Sequence, residues 1–174
     1  MENIKIIYSA RKTLCLEVHP EKGVVVRAPR RTPQKEIDAF VKAHEDWIAR
    51  ALQRTRQRQQ NLPQYPESEA EIRRLKAKAA QVIPPKVDYY ARFLGVTPGK
   101  VGITRAKTRY GSCSGKNSLN FSCFLMLFSD RAIDYVVVHE LCHIKHKNHS
   151  KQFYEMIAGV MPDYRMRQKE LRGR

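Results

Sequence analysis

The chain has 174 residues, of which 42% are apolar and 29% are charged, a composition typical of a globular domain and not of a disordered chain. Its 33 Lys and Arg residues outnumber its 17 Asp and Glu residues, and the formal net charge of +16 favours polyanions, acidic peptides or anionic surfaces as partners. No apolar run approaches the ~18 residues of a membrane span, so the sequence predicts no integral membrane protein.

The cysteines and the first residues bear on location. Cys15, Cys113, Cys123 and Cys142 are far apart and form no Cys-x-x-Cys pair, which argues against a disulfide scaffold in a chain of this length. Residues 1–5 lack the basic-then-apolar order of a signal peptide. Both observations predict reduced thiols and a cytoplasmic location.

Three short β-branched segments begin the chain. Residues 4–8, 13–18 and 24–28 have the composition of strands, and the turn Pro20-Glu21-Lys22-Gly23 joins the last two. We therefore expect an antiparallel meander over residues 3–28, within an N-terminal region 1–30.

A helical region follows over residues 32–95. The first helix begins at Thr32-Pro33, and its apolar stripe ends near the polar segment 53–61, which reads as a solvated helix end leading into a loop. A second helix begins near Glu67, and Pro84-Pro85 is expected to kink or end it.

The remaining chain predicts a metal-site core over residues 100–164 and a basic tail over 165–174. Two strands are expected at 100–104 and 118–125. A helix then begins at Ser129-Asp130, and its first three turns leave almost no polar face, so it belongs in the core. The expected fold is α+β, and no convincing domain boundary interrupts residues 1–174.

This buried helix carries the sequence His139-Glu140-Leu141-Cys142-His143, which matches His-Glu-x-x-His. Side chains four residues apart lie one above the other on a helix, so two imidazoles can converge on one Zn²⁺. The carboxylate that follows the first histidine lies beside them, where a general base can reach a water at the metal. Burial of two histidines and a carboxylate without a partner would be costly, which favours a metal site.

A catalytic zinc takes three protein ligands, and several residues could supply the third. At 1.5 Å per residue, His146 lies ~10 Å along the helix from His139, too far to share the ion, and it reads as a surface histidine. His149 can reach the metal if the helix ends near Lys147-Asn148 and Ser150 opens another helix. Glu155 and Asp163 are the alternative ligands, and Met156 or Met161 could pack either beneath the metal or in the ordinary core.

Five segments of the chain together resemble the YgjP-like family of zinc metallopeptidases, which is related to the SprT and WLM-type proteases. The segments that carry the resemblance are Tyr110-Gly111-Ser112-Cys113-Ser114, Ser118-Leu119-Asn120-Phe121, the helix 133–143, Asn148-His149-Ser150 and Met161-Pro162-Asp163-Tyr164. The resemblance implies a zincin-like fold, a zinc ion, the ligands His139, His143 and His149, and a catalytic Glu140. It gives a reaction class, peptide hydrolysis, and no particular substrate.

The expected partner is a peptide or protein substrate. In the expected reaction the metal activates water and polarises the scissile carbonyl, while Glu140 takes a proton and returns it to the leaving amine. The strand 118–125 could offer an edge on which an extended peptide pairs.

A basic nucleic-acid-binding module with a structural zinc is the alternative function, and a protease that acts on nucleic-acid-bound proteins would combine the two. Residues 89–129 contain no acidic residue, which would favour salt-dependent binding of DNA or RNA. Glu140 favours the enzyme, because a structural zinc has no use for a carboxylate beside it. The basic residues of that stretch are Arg92, Lys100, Arg105, Lys107, Arg109 and Lys116, and a second cluster comprises Arg50, Arg54, Arg56 and Arg58.

Overall fold

The computed structural model describes residues 4–173. Residues 1–3 and residue 174, which belong to the predicted meander and the predicted basic tail, lie outside them. The described chain forms two compact units, of which the first ends at Asn61 and the second begins at Leu62. The sequence prediction that residues 1–174 form a single domain stays a prediction. No helix of the described part is long and apolar enough to cross a membrane.

The first unit contains a three-stranded sheet in the order β1-β3-β2, made of β1 (Lys5–Ser9), β2 (Cys15–His19) and β3 (Gly23–Pro29). β2 and β3 form the expected antiparallel hairpin, and Gly23 takes the left-handed conformation at its turn, with φ of 64°. β1, however, pairs parallel with the other side of β3, so the predicted antiparallel meander is wrong for this strand.

Two helices complete the first unit. Where the sequence predicts one helix, the structure has α1 (Gln34–Ala43) and α2 (Glu45–Asn61), separated at His44. The polar segment 53–61 is helical to its end, as part of α2. The core of this unit is small and is built from Val26, Ala28 and Ile37.

The second unit begins with the longest helix, α3 (Glu69–Leu94), which spans 26 residues. Pro84 and Pro85 lie inside it, so the alternative that they end the helix is wrong, and the alternative that they kink it stays a prediction. Ile83 and Val87 flank the prolines and are fully buried, and this packing stabilises the helix where proline weakens its hydrogen bonds.

A second three-stranded sheet has the order β4-β6-β5, with β4 (Val101–Thr104), β5 (Gly111–Cys113) and β6 (Leu119–Ser122). The predicted strand 118–125 is too long, because the chain turns at Ser122 into a short 3₁₀ helix, Cys123–Leu127. The Ser122 hydroxyl accepts a hydrogen bond from the Phe124 backbone N–H at 3.2 Å and so caps that helix. Because β6 pairs with both β4 and β5, it is the central strand, and β5 is an edge.

The helix α4 (Asp130–Lys145) lies at the centre of the second unit and packs against α3 and β5. Ser129 caps its first turn by accepting a hydrogen bond from the Ala132 N–H at 3.3 Å, as the sequence predicts. Val137, Val138 and Leu141 have no exposed surface. The predicted α+β class with a buried histidine helix is confirmed.

α4 ends at Lys145, whose Nζ donates a hydrogen bond to the carbonyl of Leu94 at 2.9 Å, the last residue of α3. Two shorter helices follow, α5 (Lys151–Val160) and α6 (Tyr164–Leu171), and both pack on α4. Much of the segment predicted as a basic tail is thus helical.

Candidate metal centre

His139 and His143 lie on one face of α4, one turn apart. Their Nε2 atoms are 3.2 Å apart. The apolar remainder of α4 is packed in the core, so the helix sets the positions from which both imidazoles project.

His149 completes a cluster with these two histidines. Because α4 ends at Lys145 and α5 begins at Lys151, the intervening loop turns back and brings the His149 Nε2 to 3.2 Å from the His139 Nε2. One ring nitrogen from each histidine lies within 4.8 Å of the others. Zn–N bonds of ~2.0–2.1 Å in a tetrahedron place two nitrogens about 3.3–3.4 Å apart, close to the spacing found here.

Hydrogen bonds to the other ring nitrogens orient these imidazoles. The His143 Nδ1 lies 3.0 Å from the carbonyl of His146, which can only accept, so Nδ1 carries the proton and Nε2 presents its lone pair to the cluster. The His139 Nδ1 lies 3.4 Å from the Tyr135 hydroxyl, and Gln168 donates to that hydroxyl at 2.8 Å. Such outer contacts fix ring orientation in metal sites.

The protonation states also fit a metal. Burial lowers the pKa of His139 to about 3, and the neighbouring His143 and His149 lower it further in the same direction. Burial likewise lowers the pKa of His143, against the effect of its bond to the His146 carbonyl. Neutral imidazole is the form that binds a metal, so this donor set fits a divalent ion such as zinc.

Phe153 of α5 forms an apolar floor beneath the cluster. Its ring centroid lies 4.9 Å from that of His139, 4.6 Å from that of His143 and 4.8 Å from that of His149. Phe153 is fully buried. Met161 packs in the core and Met156 packs against the core. The residue beneath the histidines is therefore Phe153 and not a methionine.

Glu140 lies beside the histidines with only 6% of its surface exposed. Burial raises the pKa of Glu140 to about 7, against the influence of Arg109. Gly111 of β5 makes room for its carboxyl group, because a Cβ at position 111 would lie 2.5 Å from the Glu140 Oε1 and 2.6 Å from its Cγ. A glycine is therefore needed at this point of the edge strand.

His139 and Glu140 open onto a cleft of about 250 Å³. Its walls come from β5, α4 and α6, so the edge strand and the histidine helix face one space. Besides His139 and Glu140, the lining residues include Tyr110, Gly111, Tyr135, Gln168 and Arg172.

The loop that carries His149 is tied to the β5–β6 hairpin by Lys147. The Lys147 Nζ donates to the Asn117 Oδ1 at 2.7 Å and to the Ser114 carbonyl at 3.4 Å. Asn117 has a φ of 59°, a left-handed conformation that asparagine tolerates better than most residues. This contact holds the hairpin turn against the loop.

The other residues considered as a third ligand make contacts outside the histidine cluster. His146 stays outside the cluster and contributes its backbone carbonyl. Glu155 pairs with Lys151 at 3.4 Å, and Asp163 accepts a hydrogen bond from Arg167 at 3.0 Å. The structure therefore brings together the three histidines that the sequence favours, with Glu140 next to them.

Sequence reasoning did not find the supporting residues. Gly111 and Lys147 act through contacts between distant segments, and no local pattern marks them. For Phe153 the only signal was its place in the apolar stripe of α5, which does not reveal which residue lies beneath the histidines.

The fold and the site together define a class: an α+β protein with three converging histidines and a buried carboxyl group in one cleft. The sequence matches the family described as YgjP-like, metallopeptidase domain, over residues 12–75 and 67–174, and the chain belongs to this family of peptidases. Both matches together cover nearly the whole chain, including every residue of the cluster.

Two solved structures are similar to part of the chain. The metallopeptidase zymogen abylysin of Pyrococcus abyssi is 20% identical, with a TM-score of 0.48 over 51% of this chain and 90% of its own. The metallopeptidase zymogen jannalysin of Methanocaldococcus jannaschii is 23% identical, with a TM-score of 0.45 over 51% and 90%. No match was found among curated protein sequences.

Proposed function

We propose that the protein is a zinc-dependent peptidase in which His139, His143 and His149 hold the ion and Glu140 is the general base. The observation that carries this proposal is the convergence of three imidazole nitrogens beside a buried carboxyl group, in a cleft that reaches an edge strand.

The donor set favours a catalytic zinc over a structural one. Structural zinc sites are closed by four protein ligands, whereas catalytic sites use three and leave one position open. Among residues 4–173, the group that could hold an ion contains three side chains, all histidines. When bound, zinc supplies Lewis acidity, which lowers the pKa of water and polarises a carbonyl group.

The chain's own residues supply the proton transfers and the orientation. Glu140, buried next to His139, accepts a proton from the attacking water and passes it to the leaving amine. The Tyr135 hydroxyl and the His146 carbonyl keep the outer nitrogens of His139 and His143 engaged, so their inner nitrogens stay aimed at the site.

The substrate backbone would pair with the free edge of β5. The sequence prediction for this role was the strand 118–125, but β6 is flanked by β4 and β5 and has no free edge. β5 pairs with β6 on one side, and its residue Gly111 lines the cleft beside Glu140. An extended peptide added to this edge would lie along the catalytic carboxyl group.

Replacement of Glu140 by Gln tests the assignment. We expect Glu140→Gln to retain bound metal and fold while peptide hydrolysis falls roughly 10²–10⁴-fold, because only the proton transfer is lost. Metal content and turnover are measured on the same preparation, with Glu71→Gln on the exposed side of α3 as the matched control. Turnover close to that of the wild type in Glu140→Gln would contradict the role.

The cytoplasmic location that the sequence predicts is kept as part of this proposal. Its support is the state of the cysteines: Cys15, Cys113, Cys123 and Cys142 are all free. Chains with several unpaired thiols are typical of reducing compartments.

Nucleic-acid binding is a second candidate function, favoured by one observation on α2. Arg50, Arg54 and Arg58 follow each other at helical spacing, and the first two are exposed. Such a basic row would bind duplex DNA with an affinity that falls steeply between low and physiological salt. A fluorescence titration at two salt concentrations tests it, and undetectable binding at low salt would remove this candidate.

A further inference from the structure

A second groove, of about 850 Å³, runs between α5 and α6. Tyr154 and Tyr164 contribute aromatic surface to it, and most of the charged residues that line it are basic. The charged residues are four basic ones, Lys151, Arg165, Lys169 and Arg172, and a single acidic one, Glu155.

This groove adjoins the catalytic cleft. Gln168 and Arg172 line both spaces. Tyr154 stacks on His149, with ring centroids 6.2 Å apart, and on Tyr164, with centroids 6.0 Å apart. A polypeptide bound across the cleft therefore passes over this aromatic surface as it enters the groove.

The positive charges of the groove are poorly neutralised. Glu155 pairs with Lys151 over 3.4 Å, at a position where both side chains are mostly exposed. Within residues 4–173, neither Lys169 nor Arg172 makes an ion pair with a carboxylate. Arg165 lies over the Tyr164 ring, 5.8 Å from its centroid.

The nearby carboxylates are already engaged. Asp163 is bonded to Arg131 and Arg167, and Glu170 accepts hydrogen bonds from the backbone and the hydroxyl of Ser129. Among the described residues that line the catalytic cleft, Glu140 is the one that carries a carboxyl group. In the groove a peptide ammonium group would meet four basic side chains and a single carboxylate, Glu155, which is paired with Lys151, whereas a peptide carboxylate would meet Lys169 and Arg172.

We propose that the α5–α6 groove binds an acidic segment of the polypeptide substrate, next to the bond that is cleaved. The inference rests on the proposed peptidase function and adds a substrate class to it: internal bonds near Asp and Glu residues, and not bonds at a free amino terminus. A polypeptide fits better than a nucleic acid, because the groove adjoins the cleft beside Glu140 and the edge strand β5.

The first experiment compares quenched fluorescent peptides that share one core and differ in a four-residue flank of Glu, Gln or Lys. We expect KM for the acidic peptide to be about tenfold lower than for the neutral one, since exposed ion pairs each contribute modestly. The lysine flank should raise KM, and kcat should change little. High salt should reduce the preference, because it screens exposed charges.

A charge-matched pair of double variants separates the groove from the overall charge of the protein. Arg165→Gln with Lys169→Gln removes two positive charges from groove residues that do not line the catalytic cleft, and Arg73→Gln with Arg74→Gln removes the same charge from exposed positions on α3. We expect the groove variant to lose the acidic preference and to cleave the neutral peptide as before, and the α3 variant to keep the preference.

Three results would overturn the inference: equal KM for acidic and neutral peptides, an equal loss in both double variants, or loss of DNA binding in the groove variant with an unchanged peptide preference. If no peptide is cleaved and added zinc has no effect, the proposed function fails instead. Binding of the labelled acidic peptide to both variants, measured by anisotropy, then still tests the groove: weaker binding to the groove variant alone supports the inference, and any other outcome contradicts it.

Discussion

The two halves of the histidine cluster are held in different ways. His139 and His143 belong to α4, where the fully buried Val138 and Leu141 fix the helix in the core. His149 is exposed and comes from a loop that is placed by Lys147 and by the His143–His146 contact. The positions of two histidines thus follow from the folding of the core, whereas the position of the third depends on a few polar contacts. Changes to the loop should therefore alter metal binding with little effect on the fold.

Loss of the third histidine should have the largest effect on metal binding. We expect His149→Ala to lower zinc affinity by more than about 100-fold, since even outer contacts of a metal ligand are worth 10–100-fold. His146→Ala is the matched control and should change the affinity little, because its backbone carbonyl remains. Competition with a chromophoric chelator measures both. A His149→Ala protein with stoichiometric, tightly bound zinc would move the assignment to another ligand.

Gly111→Ala tests whether β5 sets the position of the Glu140 side chain, which projects from α4. The added methyl group would meet the Glu140 carboxyl at 2.5 Å and displace it, so kcat should fall about 100-fold while zinc stays bound. Gly115→Ala, in the same hairpin, adds a methyl group with no atom within 4 Å and should leave kcat unchanged. Equal activities of the two variants would show that the position of Glu140 does not depend on β5.

Removal of the metal should affect the two halves unequally. A bound ion at 100 times its Kd stabilises the folded state by about 2.7 kcal/mol, so a chelator should lower the Tm. Hydrogen exchange should show the loss of protection in the loop 146–150, with α4 still protected by its packing. A uniform loss of protection along α4 would mean that the core itself requires the ion.

The smallest effect is expected from the link between the loop and the hairpin. Lys147→Met removes the donor, and Asn117→Gly removes the acceptor while glycine keeps the left-handed backbone without strain. Each should weaken zinc binding by up to about tenfold, and the double variant no more than Lys147→Met alone, because Lys147→Met already removes the bond to Asn117 as well as the longer one to the Ser114 carbonyl. Lys116→Met, at the neighbouring exposed lysine, should have no effect. Additive losses would show that the two residues act separately.

The sequence predicted the parts of the site that follow from one helix. The apolar run after Ser129 indicated a core helix, and the spacing of His139 and His143 placed both on one face. A third ligand at His149 required that helix to end by about Asn148, and the structure ends it at Lys145.

Features that depend on distant partners could not be predicted in this way. The alternation of apolar and polar residues along β1 does not reveal whether this strand pairs with β2 or, as found, in parallel with β3. β6 is central because it pairs with β4 on one side and β5 on the other, and the edge falls to β5, a strand of three residues too short to show a pattern. The helix α3 continues through its prolines for the same reason, because the packing of Ile83 and Val87 outweighs a local preference to end the helix there.

The hydrogen bond from Lys145 to the Leu94 carbonyl has a consequence for the evolution of the chain. It ties the last residue of α4 to the last residue of α3, and so sets the number of residues between the histidine pair and the loop. One residue inserted into α4 after His143 would rotate everything that follows by about 100° and would move Lys145 away from that carbonyl. Among related chains that keep the site, the interval from His143 to His149 should therefore be constant in length even where its residues differ.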